Sequence, residues 1–160
     1  MIRPGLLFSL AASAMTVGPA SAGGAPPLPA DVILTQSHGD VATTQARAKA
    51  ALAKLGVPVF ATFDHAANAL DAGLTLRPTV VLVFGNPKIG TKLMQSQQAA
   101  ALDLPLRLAI WQDEQGRTWI GYHDLKPMAA AYGIDDAETV GKLAGFMGNL
   151  AKASAGDSTN

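Results

Sequence analysis

Val80 to Phe84 is an unbroken apolar run, preceded by Thr79 and stopped by Gly85-Asn86-Pro87. It is too short for a buried helix and lacks the alternation of a strand with one wetted face. It therefore predicts an inner strand, Thr79 to Phe84, covered on both sides. A strand of that kind cannot stand alone, so the rest of the chain must supply a sheet around it and helices to cover it.

The flanking pattern does so. Asp31 to Ser37 reads as a strand, and Asp40 caps a helix on which Val41, Ala48, Leu52 and Leu55 share a face, closed by Gly56. Val57 to Phe63 is β-branched and aromatic, a second strand, and Asp64 caps a short helix to Ala72. A helix over Thr91 to Ala101 follows the inner strand. Leu106 to Trp111 and Arg117 to Tyr122 read as a hairpin whose turn carries Asp113 and Gly116. Asp124 caps one last-but-one helix, with Pro127 tolerated in its first turn. Asp135 or Asp136 starts the final one, where Val140, Leu143, Ala144, Met147 and Leu150 make a stripe. This order predicts an α+β fold, a single two-layer domain with a mixed β-sheet of about five strands and helices packed on it. Gly141, Gly145 and Gly148 fall almost on one line of the last helix, which predicts close approach to the sheet or to a second subunit.

At the N-terminus, Arg3, the apolar Leu6 to Met15 and the small-x-small Ala20-Ser21-Ala22 make residues 1–22 a signal peptide. Ser9, Ser13, Thr16, Gly18 and Pro19 interrupt the run, which excludes a membrane anchor of about 20 continuous apolar residues. The destination is the periplasm or the exterior. Residues 23–30 read as a flexible lead-in, 31–152 as the domain, and 153–160 as a disordered polar tail. No later segment is apolar enough to span a bilayer.

Charge and cysteine usage narrow the function. Twelve basic residues against twelve acidic ones exclude a phosphate-tracking nucleic-acid binder, which concentrates cations on one face. With no cysteine, disulfides, thiolate catalysis and Cys-ligated metals are excluded.

Gly85 to Lys92, "GNPKIGTK", has the glycine spacing of a phosphate-binding loop, but Thr91-Lys92 inverts the Lys-Ser/Thr order on which that loop's chemistry depends. Pro87 also removes a backbone donor. Triphosphate hydrolysis is therefore excluded, and two readings stay open: a tight turn, or a weak anion site in which Asn86, Lys88, Gly90 and Thr91 bind at the start of a helix. His65 sits at a helix start, where the dipole keeps the imidazole neutral and available as a general base, with Lys88 as electrostatic stabiliser. His38, His65 and His123 show no metal spacing, although they could meet Met94 or Met128 in space. Asp113 and Glu114, in a turn, are expected to be solvated with ordinary pKa values. Trp111 and Trp119 are expected to pair across the hairpin. No Gly-x-Ser-x-Gly element is present.

The elements "FGNPKIGTKLMQ", "LDLPLR" and "WQDEQGRTWIGYHD" resemble the family named domain of unknown function 302, with a family-like core over residues 60–133. His123 departs from the small polar residue expected within "YHD". The resemblance implies a compact α+β domain that forms a homodimer, and it carries over no catalytic residue. The expected function is thus a non-catalytic binding module for a small ligand, an anion being the candidate; the alternative is a small periplasmic hydrolase or isomerase using His65. No cofactor is implied. N-terminal sequencing of the exported protein is expected to begin at Gly23, and recovery of intact Met1 from the membrane fraction would contradict the cleavage.

Overall fold

The computed structural model describes residues 28–157. The expected signal peptide (1–22), residues 23–27 of the expected lead-in and residues 158–160 of the expected tail lie outside the described residues. The elements run β1 (Val32–Ser37), α1 (Val41–Lys54), β2 (Val59–Asp64), α2 (His65–Asp71), β3 (Thr79–Phe84), α3 (Pro87–Ser96), a 3-10 turn (Gln98–Leu102), β4 (Leu106–Gln112), β5 (Thr118–His123), α4 (Leu125–Ala131) and α5 (Ala137–Ala155). Caps account for several of these boundaries. Asp40 accepts from the Thr43 amide, Asp64 from Ala67 and Asp136 from Thr139, each satisfying an orphan donor of its helix's first turn.

The strands form one sheet in the order β1-β5-β4-β3-β2, and every pairing is antiparallel. The α+β layering stands, while the expected mixed sheet does not occur. A parallel pair requires a crossover that returns the chain beside the strand it left. Here α1 carries it from one edge of the sheet to the other, so β1 and β2 run the same way but never meet.

The core lies where α1 and α5 cover one face. Val80, Leu82 and Phe84 of β3, Leu108 and Ile110 of β4 and Ile120 of β5 bury against Ala48 and Leu52 of α1 and Met147 and Leu150 of α5. On β3 these buried residues alternate with the half-buried Thr79, Val81 and Val83. The strand is therefore inner, as its apolar run required, but helices cover one of its faces rather than both. On the opposite face Phe63, Val81, Ala109, Gly121 and Leu34 stand side by side across all five strands. Gly121 is required there: a Cβ would lie 2.8 Å from the Trp111 ring.

Three further expectations change. Residues 153–155, assigned to the tail, belong to α5, with Ser154 and Ala155 fully buried. The Ala155 carbonyl accepts from the His38 amide, and Gly156 ends the helix at φ 93°. Within the chain, the glycine line of α5 makes no close approach to the sheet. A Cβ on Gly141 or Gly145 would meet nothing within 4 Å, and one on Gly148 would be in ordinary contact with the Tyr122 hydroxyl. Finally, Asp113 is buried rather than solvated, 9% exposed. Its carboxylate accepts from the Gln115 and Arg117 amides, from Arg117 Nε at 2.7 Å and from Trp119 Nε1 at 2.8 Å. Burial alone would push this carboxyl up, but the hydrogen bonds from Trp119, Arg117 and Gln115 outweigh it and bring the pKa to about 2. Glu114 stays exposed, and Trp111 pairs with Trp119 as expected.

Two outcomes follow from this packing. Leu82→Asp, at a fully buried position, costs several kcal/mol by placing an unpaired charge in the core, against a total stability of about 5–15 kcal/mol. Circular dichroism should show no cooperative melt, whereas near-wild-type melting would remove Leu82 from the core. For Asp113, a folded pKa near 2 lies below the unfolded value of about 3.9, so its stabilisation is complete above about pH 4 and is lost as pH falls toward 2. Asp113→Asn should melt lower than wild type at pH 7, and the gap should narrow between about pH 4 and pH 2; a constant gap would mean the charge contributes nothing.

Candidate functional site

In an antiparallel sheet successive strands alternate direction, so β3 and β5 end where β1, β2 and β4 begin. Val59, Phe84 and Leu106 stand side by side at that end by register, and α3 leaves from it. Asn86 is the N-cap of α3: its side chain accepts from the Lys88 amide at 3.0 Å, and Pro87 occupies the first turn. Both residue types favour a helix start at these positions. The helix therefore begins four residues earlier than the expected Thr91, with a separate 3-10 turn following it.

This shift changes what the glycine-lysine stretch can do. Pro87 has no amide hydrogen, the Lys88 amide is used by Asn86, and the Ile89 and Gly90 amides both donate to the Asn86 carbonyl at 3.0 Å. Gly90 and Thr91 lie inside the helix, so they offer no amide cradle for an anion. The Asn86-Pro87 pair is the local sequence signal for this start.

What gathers at α3 instead is side-chain charge over apolar surface. Lys88 and Lys92, one turn apart and exposed, line a cavity of about 390 Å³ together with Thr139 and Lys142 of α5. Its apolar lining includes Val57, Ile89, Leu106, Leu143 and Phe146. Lys142 is paired with Glu138, whereas Lys88 and Lys92 have no ion pair among the described residues. The hydrogen bond with Thr139 chiefly, and Lys92 and Lys142 to a lesser degree, hold the Asp136 carboxyl below its usual range.

On the other side of α3 a second cavity of about 370 Å³ is lined by Phe60, Pro87, Thr91, Met94 and Pro105. Gly85, Asn86, Ile89, Leu106 and Leu143 border both cavities. The first turns of α3 thus straddle two apolar hollows, and Leu93 is its one buried residue. Asn86, Lys88, Gly90 and Thr91 are brought to one place, divided between the two cavities. No local sequence pattern signals the contributions of α5 (Thr139, Lys142, Phe146), which come from some fifty positions later in the chain and join the cavity only through the packing of the fold.

The histidines do not converge. Since Val59 pairs with Phe84 and Asp64 with Val80, β2 delivers His65 to the opposite end of the sheet from Lys88. There it is exposed and lines neither cavity. His38 is held by Asp157 at 3.0 Å, and His123 Nδ1 by Asp31 at 2.8 Å. Met128 shares a third cavity with His123, while Met94 lies in another. Among the described residues no group of three or more His, Cys, Asp or Glu could hold a metal ion.

A family model, Domain of unknown function DUF302, matches residues 33–150. Among curated proteins the chain is 35% identical over 128 residues to Fluoride-specific ion channel FluC 1 of Brucella suis biovar 1 (strain 1330), covering 79% of this chain and 50% of that protein. It is likewise 35% identical to the FluC 1 of Brucella abortus biovar 1 (strain 9-941), covering 47% of it. The chain thus spans about half the length of the curated relatives it matches. A crystal structure of a conserved DUF302 protein from Bacillus stearothermophilus superposes with a TM-score of 0.70 at 19% identity, over 79% of this chain and 99% of that one, a likeness of fold. No helix among the described residues is long and apolar enough to cross a membrane.

Proposed function

This chain belongs to the DUF302 family, and we propose that it serves there as a non-catalytic binding module of the cell envelope, homodimeric, taking a small amphipathic anion beside α3. The observation that carries the ligand class is the cavity between α3 and α5, which Lys88, Lys92 and Lys142 line together with the apolar Ile89, Leu143 and Phe146. An apolar lining of that kind favours an aliphatic or aromatic body, and the lysines favour a carboxylate, sulfate or phosphate head. The anion expected from the sequence is retained, but ammonium groups rather than helix amides would hold it.

The homodimer is supported by the sheet face opposite α1 and α5. Phe63 is 48% exposed there, and Val81, Ala109 and Trp111 are only half-buried. An apolar sheet face of this breadth fits a second copy of itself. The envelope assignment rests on the N-terminal signal pattern. The relatives' name describes an ion channel, and conduction across a bilayer requires elements that span it. No helix among its described residues is long and apolar enough to be such an element, and this reading assigns the chain no part in conduction. The alternative of a hydrolase or isomerase using His65 finds no support, because His65 stands at the far end of the sheet from Asn86 and Lys88.

Octanoate, octanol and inorganic phosphate distinguish the parts of this reading in an amide and methyl NMR titration. Octanoate should shift Ile89, Leu143 and Phe146, while octanol and phosphate, each lacking one half of the ligand, bind more weakly. Exposed charge pairs contribute about 0.2–1 kcal/mol each, so the double variant Lys88→Ala/Lys92→Ala should lose about two- to thirtyfold in affinity, with wild-type melting. Raising salt should weaken octanoate binding further. Equal affinity of the variant, or equal binding of octanol and octanoate, would remove the lysines from the site.

A further inference from the structure

The third cavity, about 450 Å³, lies at the same end of the sheet but beneath α4. It shares only Leu106 with the cavities flanking α3. Its polar groups come from every segment that meets there: Asp31 before β1, Asp103 before β4, Arg107 in β4, His123 at the end of β5, Asp124 capping α4 and Tyr132 just after it. The charges do not cancel among themselves. Asp31 and His123 are held to each other by a hydrogen bond of 2.8 Å. Asp103 has a neutral partner, the Tyr132 hydroxyl, which donates to Oδ2 at 2.7 Å, and Asp124 accepts from the Lys126 amide at 3.1 Å. Arg107 is exposed and has no ion pair among the described residues. Asp103, Asp124 and Arg107 therefore line a single hollow without an ion pair among the described residues, Arg107 standing at its border with the open sheet face.

The remaining wall is apolar and flexible. Leu106, Leu125, Met128 and Met147 line it, and thioether side chains adapt readily to an aliphatic chain. Solvated surface charges ordinarily sit on convex ground. Here they rim a concavity with an apolar wall, the arrangement in which a few polar groups orient a ligand whose body is buried.

We propose that this cavity binds a free amino acid with a basic side chain. One ligand carboxylate meets Arg107, whose planar guanidinium suits bidentate recognition of that group. The two ligand ammonium groups meet Asp103 and Asp124, and the methylene stem lies along Met128 and Leu125. A ligand with one negative and two positive groups matches Arg107, Asp103 and Asp124, the three groups outside any ion pair; a neutral zwitterion leaves one of the two carboxylates unmatched, and a simple anion leaves both. Tyr132 positions Asp103 through its hydrogen bond. This inference is independent of the amphipathic-anion site at α3.

L-Lysine is the probe, compared with L-norleucine, which keeps the stem but lacks the terminal ammonium, and with lysine methyl ester, which lacks the carboxylate charge. Methyl and aromatic resonances of Met128 and Tyr132 should shift saturably with lysine, with norleucine at least about tenfold weaker, as expected for losing a charge-assisted contact. Arg107→Ala, at an exposed position, should fold as wild type and abolish the preference for lysine over its ester. Asp103→Asn, which retains an acceptor for Tyr132, should weaken lysine about tenfold. The Lys88→Ala/Lys92→Ala variant should bind lysine unchanged, separating this site from the one at α3. Absence of saturable shifts, equal affinity for lysine and norleucine, or an undiminished ester discrimination in Arg107→Ala overturns the proposal.

Discussion

Burial of one sheet face beneath α1 and α5 is the constraint on which the other features depend. Leu52, Leu82, Phe84, Leu108, Ile110, Ile120, Met147 and Leu150 are almost entirely removed from water, and apolar burial of this kind is the dominant favourable contribution to folding. Ala48 and Ala151 are buried in the same core and let the two helices approach closely. Polar groups carried into this layer are paired: Ser37 and Thr44 share a hydrogen bond of 2.6 Å, and Ser154 donates to the Leu150 carbonyl. With α1 and α5 on that face, α3 and α4 are left to the margin of the sheet, and the cavities form beneath them.

The margin differs chemically from the core because its helices are lightly anchored. α3 buries only Leu93, and α4 buries Leu125 and Ala129. Hollows persist on both sides of α3, and the lysines that project from its exposed side form no ion pair among the described residues. The anion chemistry that the glycine-lysine stretch suggested thus moves from the backbone to the side chains. Amides of a helix start can hold an anion only while they are free, and in α3 the cap and first turn consume them.

The β4–β5 hairpin shows how a chain without cysteine fixes a tight turn. Asp113 binds the turn amides, the Arg117 side chain and the Trp119 indole at once, and the Arg117 guanidinium lies 5.4 Å from the Trp119 ring centroid. Gly116, at φ 78°, supplies the left-handed residue that the turn requires. Together these contacts hold β4 and β5 in the register that sets Trp111 over Gly121.

Local chemistry determined a large part of this molecule from its sequence. Caps at Asp40, Asp64 and Asp124, the inner strand Thr79 to Phe84, the hairpin and the stripe on α5 all follow from interactions within a few residues, and the α+β class follows from their order. The family was legible in the "FGNPK" to "YHD" segment. The start of α3 was also written locally, in Asn86-Pro87, and was obscured by a glycine spacing that carries a different meaning in another context. Only the tertiary structure decided that the sheet is antiparallel throughout, that Asp113 is buried, that His65 is carried away from Lys88, and that Asp31 meets His123 across 92 positions. Those outcomes depend on which edge of the sheet α1 crosses to and where α5 packs, and such choices are made by the burial of whole faces, a quantity no short stretch of residues contains.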